Sequence, residues 1–193
     1  MGDSDAAFDA ALSGAIAGDE DSFAALWRIA NPRLLRYLWV TVGIGADDIA
    51  SETWLKAIPA IPRFRGTQRA FNAWLITIAR NHQLDQRRRQ VRRPETVVAD
   101  IEHLQVETAA DAADIALERI SLDVALRLVA RLPSEQAEMV ALRVIVGLDM
   151  ANIAQIVGRT PGAVRVAIHR GLKKLAELLD DPCDNAQEVL SDA

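Results

Sequence analysis

Apolar residues recur every three or four positions along most of the chain, which is the spacing of one face of an α-helix. Three such stretches fill the first half, over residues 23–42, 46–58 and 71–94. Pro32 predicts a kink or a break within the first of them. No segment alternates apolar and polar residues over the length of a strand. The pattern therefore predicts an all-α protein.

Helical spacing resumes with Ile120, Val124, Leu128 and Leu132, and residues of the capping type mark the start of each of the three helices predicted after Pro133. A short helix, a tight turn at Gly158 and a longer helix that opens with Pro161 follow one another there. This is the helix-turn-helix pattern, whose second helix fits the major groove of DNA. Over the whole chain the predicted N-cap residues are Asp47 or Asp48, Ser134, Asp149 and Thr160.

The two helical halves are separated by an acidic stretch that has no firm period. A segment of this kind, over residues 95–115, is predicted to be a flexible linker. The organisation predicted is two small helical domains over residues 19–94 and 116–179, with an N-terminal tail over 1–18 and an acidic C-terminal tail over 180–193.

Charge is unevenly distributed along the chain. The 22 basic and 27 acidic residues give a net charge of -5, which taken alone argues against a nucleic-acid partner. Residues 80–93, however, hold six arginines against the single acid Asp85, and residues 159–174 hold five basic groups and no acid. A chain with two basic islands and an otherwise acidic surface can contact a phosphate backbone at two places without binding nucleic acids indiscriminately.

Several protein classes are disfavoured by composition. The single cysteine, Cys183, can form neither an intramolecular disulfide nor a cysteine-rich zinc site. No apolar run approaches the roughly 20 residues of a spanning helix, and the first residues are acidic where a signal peptide is basic. No phosphate-binding loop, nucleophile elbow or metal-binding histidine pair occurs. We expect a cytoplasmic protein that is not an enzyme and has no cofactor or metal site.

The second helix of the helix-turn-helix carries a basic face opposite its apolar stripe. Its stripe is predicted to be Val164, Ile168, Gly171 and Leu175. An arginine on the other face can bond guanine bidentately or hold a phosphate, and a lysine suits the backbone. The alternative is a helical hairpin with a solvated basic face. The candidate residues for duplex DNA are Thr160, Arg165, Val166, His169, Arg170 and Lys173.

The third helix of the first half combines aromatic residues with arginines. Phe64, Phe71 and Trp74 can offer stacking surfaces to single-stranded nucleic acid, with the arginines on its phosphates. The alternative places Phe71 and Trp74 in the core, because they share the apolar stripe of Ile78. The arginines at the end of this helix also complement its dipole without any DNA.

The order of the motifs resembles the extracytoplasmic-function (ECF) sigma factors of bacterial RNA polymerase. The motifs are DDIASETW over 47–54, FRG over 64–66, AWLITIARN over 73–81, a linker, LPSEQ over 132–136 and the helix-turn-helix. The resemblance implies a first domain, region 2, that docks on the core polymerase and melts the -10 promoter element. It also implies a second domain, region 4, that reads the -35 element.

The resemblance also implies roles for individual residues. Those matching the polymerase-docking helix are Asp47, Asp48, Ile49, Glu52 and Leu55. The positions that match the capture of a flipped -10 base are Phe64, Arg65, Gly66, Thr67, Gln68 and Asn81. The arginines suited to contact the backbone of the adjacent strand are Arg80, Arg87 and Arg88. The positions that match -35 reading are Arg165, Val166, His169 and Arg170.

The partners implied are core RNA polymerase, through the clamp helices of its largest subunit and the flap of the second-largest, and promoter DNA. An anti-sigma factor wedged between the two domains is implied as well, and no membrane contact. A rival hypothesis is a regulator that binds duplex DNA through its helix-turn-helix alone, with a dimerisation or ligand module in front. Another is a DNA-processing enzyme such as a recombinase, for which no patterned nucleophile is evident.

Overall fold

The computed structural model describes residues 2–92 and 122–180, and the part of the chain so described contains helices and no strand, which confirms the all-α prediction. The first domain consists of α1 (Gly2–Ile16), α2 (Glu20–Val42), α3 (Ala46–Ala57), a 3-10 helix (Ile58–Arg63) and α4 (Gln68–Arg92). The second consists of α5 (residues 122–130), α6 (Ser134–Val144), α7 (Met150–Val157) and α8 (Pro161–Asp180). The predicted linker and most of the C-terminal tail lie outside the described residues.

The first helix replaces a predicted tail. The tail expected over residues 1–18 is wrong, because α1 packs on α2 and contributes the fully buried ring of Phe8 to the core. That ring meets the ring of Phe71 edge-on, with centroids 5.6 Å apart. A Cβ atom on Gly14 would overlap the side chain of Ser22, so glycine permits the close approach of α1 and α2. Small residues at this contact left little apolar periodicity to detect.

The second helix continues through Pro32 without interruption. Of the kink or break predicted at this proline, the break is therefore absent. Proline removes a single backbone hydrogen bond, and burial of Leu26, Leu34 and Leu38 on both sides of it holds the helix together. Asp19 is the N-cap of this helix, and its carboxylate accepts a hydrogen bond from the Ser22 N–H at 2.8 Å. Hydrogen bonding by Ser22, through its side chain first and its backbone N–H second, lowers the pKa of Asp19 below its usual value.

Capping predictions had mixed outcomes. Asp149 caps α7 by accepting from the Asn152 N–H at 2.8 Å, which confirms its role. Gly158 ends that helix in the left-handed conformation at φ 68°, and the Thr160 hydroxyl accepts from the Ala163 N–H at 3.3 Å.

Two predicted caps are wrong. Gly45 precedes α3, so Asp47 and Asp48 lie in its first turn, where their charges favour the positive end of the helix dipole. Pro133 precedes α6 and Ser134 is the first helical residue. Each predicted cap was therefore placed one to three residues too late along the chain.

The helix-turn-helix is held in place by a close crossing of α6 and α8. Gly171 of α8 faces α6, and a Cβ atom there would lie 2.8 Å from Val140 Cγ2. The buried Val164 and Ile168 continue the same face of α8. The helix therefore presents its opposite face to solvent.

Among the helices of residues 2–92 and 122–180, none is both long enough and apolar enough to cross a membrane.

Replacing Gly171 with alanine should lower the free energy of unfolding by about 1 kcal/mol. Overpacking against a stiff, β-branched side chain costs about 1–3 kcal/mol, and the gain in helix propensity offsets about 1 kcal/mol of this. The matched control is Gly162→Ala on the same helix, where a Cβ atom meets nothing within 4 Å and stability should rise. Urea denaturation measures both variants, and an equal effect of the two would contradict the packing account.

Candidate nucleic-acid interface

The outward face of α8 carries the residues predicted to contact duplex DNA. Val166, His169, Arg170 and Lys173 follow the spacing i, i+3, i+4, i+7 and are all exposed, and Arg165 lies exposed beside them. Val166 is 49% exposed although it is apolar. Thr160 is also exposed and caps the helix at this end. The tertiary structure thus brings all six predicted residues to one surface.

The cations of this face are available to a partner. Within the described residues, Arg165, Arg170 and Lys173 form no ion pair. Two other cations of the same basic island are engaged: Arg159 pairs with Glu135 at 2.8 Å and Lys174 with Glu177 at 3.4 Å. The cations that face outward from the middle of the helix are therefore not neutralised by these ion pairs.

The loop before α4 lies against an aromatic cluster. The ring of Phe64 is half-buried, with its centroid 5.1 Å from that of Phe71 and 5.3 Å from that of Trp74. Gly66 has φ 153°, and a Cβ atom there would lie 3.2 Å from the Phe64 ring. Phe64 thus packs on the core, which leaves less of its ring for stacking than the sequence indicated.

Polar groups surround that loop. Arg65 donates to the carbonyl oxygens of Pro62 at 3.0 Å and Phe64 at 2.6 Å, and Thr67 caps the start of α4 through its hydroxyl. The amide nitrogen Nε2 of Gln68 and the amide oxygen Oδ1 of Asn72 are buried without a hydrogen-bond partner in the described structure. An unpartnered buried donor and acceptor beside a loop leave hydrogen-bonding capacity for a ligand.

The predicted strand-binding residues of α4 separate into two groups. Asn81 and Arg88 are exposed, and Arg88 forms a surface ion pair with Asp85 at 3.6 Å. Arg87 donates to the backbone oxygen of Thr41 at 3.0 Å. Arg80 is instead held by Glu138 of the second domain, with its Nε 2.7 Å from the carboxylate.

The predicted docking helix exposes most of its assigned side chains. Asp47, Asp48 and Glu52 are exposed, and Leu55 is 64% exposed. Ile49 is only 3% exposed, because its side chain packs in the core and holds the helix in place, so it does not lie on the exposed face of α3 with the other four. The helix is further anchored by the buried Trp54.

Glu138 joins the two domains and was missed in the sequence. Its carboxylate binds the Arg80 guanidinium and accepts a hydrogen bond from the Tyr37 hydroxyl at 3.2 Å. Burial first, and the Glu138 charge second, raise the pKa of Tyr37 well above its usual value. The sequence did contain a signal that this helix contacts both domains. The four residues after Glu138 are all apolar, and a helix with such a run is buried on more than one side.

A cleft of about 660 Å³ lies between the domains at this contact. Its walls include Arg80 and Arg87 from α4 and Glu135 and Glu138 from α6. Opposite charges therefore face each other across the cleft.

Comparisons with known proteins match both domains. Residues 26–93 match the family described as Sigma-70 region 2, and residues 122–175 match Sigma-70, region 4. The ECF RNA polymerase sigma factor SigD of Mycobacterium tuberculosis is 37% identical over 177 residues, covering 88% of this chain and 82% of the relative. The ECF RNA polymerase sigma factor BldN of Streptomyces coelicolor is 36% identical over 86% of this chain, and the match spans 63% of the length of BldN.

A solved structure shares the fold. The sigma factor RpoE of Bartonella quintana, crystallised in complex with the anti-sigma factor NepR, aligns with a TM-score of 0.62 at 22% identity. The alignment covers 84% of this chain and 99% of that one. At this identity the likeness concerns the fold.

Tyr37 should resist ionisation in the folded chain, because burial and the neighbouring carboxylate both oppose the phenolate. Its raised pKa means that the stability contributed by the neutral phenol is present below the unfolded value, near pH 10, and is lost as the pH rises further. Since the chain has one tyrosine, ultraviolet absorbance reads this group alone. Coinciding titration curves for the folded and the guanidinium-unfolded chain would contradict the buried environment.

Proposed function

Because this chain belongs to the extracytoplasmic-function family of RNA polymerase sigma factors, we propose that its two domains bind two separate elements of a promoter. The region 2 match lies within the first domain, from residue 26 onward, and the region 4 match within the second. The observation that supports this most directly is the exposed face of α8, whose cations lack partners within the described residues. A regulator acting on duplex DNA alone is not favoured, since the first domain matches a sigma region rather than a separate module.

The second domain is proposed to read the -35 element through α8. Arg165 and Arg170 are the candidates for guanine edges, because a guanidinium can bond O6 and N7 together. His169 and Lys173 suit a base edge or a phosphate, and Val166 offers an apolar contact. The Thr160 hydroxyl caps the N-terminus of α8, the end at which such helices approach the bases.

The first domain is proposed to capture a flipped base of the -10 element at the loop before α4. The unpartnered amide groups of Gln68 and Asn72 support a polar site there, and both lie in the first turns of α4. Thr67 and Asn81 are further candidate contacts. Arg65 is a candidate phosphate contact, for which it would exchange its hydrogen bonds to two backbone carbonyl oxygens for bonds to the phosphate. Capture of an extruded base offsets a few kcal/mol of unstacking, so binding energy drives strand opening.

The docking helix α3 is proposed to bind the clamp helices of the largest polymerase subunit. Asp48, Glu52 and Leu55 lie at i, i+4 and i+7 and are all exposed. An exposed leucine flanked by acids fits a partner helix with an apolar and a basic side. We also propose a contact between the second domain and the flap of the second-largest subunit. Both roles place the protein in the cytoplasm.

An anti-sigma factor is a further proposed partner. The fold is shared with a sigma factor that was crystallised with such a protein. The cleft between the domains offers both charged and apolar walls to an inserted segment. Co-expression with the products of neighbouring genes tests this proposal, and the absence of any stable complex would contradict it.

Transcription with purified bacterial core polymerase on a pool of genomic promoter fragments tests the function. Addition of the protein should create new start sites with permanganate-reactive thymines just upstream. Binding to core without any start would point to a missing activator or unsuitable DNA. Binding to duplex DNA without any binding to core would refute the proposed function.

Substituting Arg165 or Arg170 with alanine should weaken promoter selection at the upstream element by about 1–3 kcal/mol if the arginine reads guanine. Core binding should not change. Lys174→Ala is the matched control, since it removes the same charge from the same helix but from a side chain already paired with Glu177. Equal losses on every upstream sequence would identify the arginines as phosphate contacts instead.

Leu55→Asp should weaken core-polymerase binding roughly tenfold or more, because it places a charge at the centre of an apolar contact. The fold should be unaffected, since the side chain is 64% exposed. Ala24→Asp adds the same charge at an exposed site of α2 and serves as the control. Fluorescence anisotropy with labelled protein measures both, and unchanged core affinity of Leu55→Asp would exclude this face from the interface.

A further inference from the structure

The two domains meet through opposite charges. On the α4 side of the cleft stand Arg80 and Arg87, and on the α6 side stand Glu135 and Glu138. The resemblance to ECF sigma factors assigns both of these arginines to the backbone of the melted DNA strand, and the proposed function keeps that role for Arg80. In the structure described here, Arg80 is bound by the Glu138 carboxylate of the same chain, whereas Glu135 is paired with Arg159 of its own domain.

Glu138 makes the direct contact. Its carboxylate lies 2.7 Å from Arg80 Nε, and the two side chains are only 20% and 19% exposed. The attraction in an exposed ion pair is strongly weakened by solvent and salt, but in a pair this well covered it is screened much less. The same carboxylate accepts the Tyr37 hydroxyl at 3.2 Å, so one side chain of α6 holds both α2 and α4.

A second electrostatic contact crosses the same boundary. Burial lowers the pKa of Arg36 on α2, as does the neighbouring Arg33, while the charge of Asp123 on α5 opposes that shift. Asp123 is therefore close enough to Arg36 to stabilise its cation. Asp123 thus adds a longer-range attraction across the boundary, beside the direct ion pair of Glu138 with Arg80.

The closed arrangement conflicts with the proposed function. Elements centred near -35 and -10 are about 25 base pairs apart, which is roughly 85 Å along B-DNA. A domain of the size of the second one has a radius of gyration of only about 10 Å. Two such domains in contact cannot cover both elements, so the contact at Glu138 has to open when promoter DNA is bound.

We propose that Glu138 occupies, in the free protein, the position at Arg80 that a DNA phosphate takes in the promoter complex, and thereby keeps the two domains closed. The inference rests on the proposed function of Arg80. A phosphate can replace the carboxylate without leaving the guanidinium buried and unpaired, which is the costly outcome when such a pair is broken. The Tyr37 hydroxyl then exchanges its carboxylate partner for water.

This closure has a consequence for free sigma factor. Binding of a single strand to Arg80 competes with Glu138, so the apparent dissociation constant rises by the inverse of the open fraction. The protein on its own is then a weak DNA binder. Any partner that separates the domains, such as core polymerase, raises the affinity of the first domain for DNA.

The test uses the full-length chain and Glu138→Gln, which keeps the shape of the side chain and removes its charge. Small-angle X-ray scattering should give a larger radius of gyration than for the wild type. Anisotropy with a short fluorescein-labelled, mixed-sequence single-stranded oligonucleotide should show roughly 3- to 10-fold tighter binding, as expected when a minor open population becomes the main one. The matched control is Glu20→Gln, which removes an equal charge at an exposed site of α2.

Arg80→Ala separates closure from DNA contact. It should enlarge the radius of gyration as Glu138→Gln does, but weaken oligonucleotide binding. Tyr37→Phe removes the other hydrogen bond of Glu138 and should open the domains to a smaller extent. This variant tests the closure independently if circular dichroism shows that Glu138→Gln does not fold. An unchanged radius for both Glu138→Gln and Tyr37→Phe would overturn the closure.

Two further outcomes are decisive. An open Glu138→Gln protein whose oligonucleotide affinity equals that of Glu20→Gln would refute the role of Glu138 as a substitute for phosphate. Promoter-directed transcription by core polymerase with the wild-type protein is measured in parallel. Its absence refutes the proposed function, whereas normal transcription together with an unchanged radius refutes only the closure.

Discussion

Burial of α6 on two sides is the interaction on which the rest of the structure depends. One side packs against α8, where Gly171 brings the helix axes together and so determines which face of α8 points outward. The other side meets α2 and α4 of the first domain, where Glu138 is held by Tyr37 and Arg80. An eleven-residue helix therefore orients the surface that is proposed to read DNA and also contacts both domains.

The first domain relies on an aromatic cluster in a similar way. Trp54 donates its indole N–H to Asn31 at 2.9 Å, with both groups buried, and its ring packs beside those of Phe23 and Phe71. Because Trp54 is fixed from the core side, the acids and Leu55 on the opposite side of α3 are presented to solvent. The same cluster anchors Phe64 and with it the loop that precedes α4. Docking and strand capture are thus proposed for surfaces supported by one core.

Net charge is a poor guide to how this molecule meets DNA. The chain is acidic overall, yet ion pairing divides its cations into two classes. Arg80, Arg159 and Lys174 are engaged by acids of the same chain, whereas Arg165, Arg170 and Lys173 form no ion pair within the described residues. Local pairing decides which arginines are ready to bind a phosphate and which must first be released. In the proposed promoter complex, Arg80 therefore has to leave Glu138 before it binds a phosphate.

The sequence by itself determined the helical class, the helix-turn-helix with its Asp149 and Thr160 caps, and the outward stripe of α8. Each of these follows from contacts within a few residues, which periodicity and capping chemistry report directly. It did not determine that α1 is part of the core, that Ile49 is buried, or that Arg80 is bound by Glu138. Those features depend on contacts between helices far apart in the chain; Arg80 and Glu138, for example, are separated by 58 positions. A periodic pattern reports that a helix has a buried face, and only tertiary packing decides what covers that face.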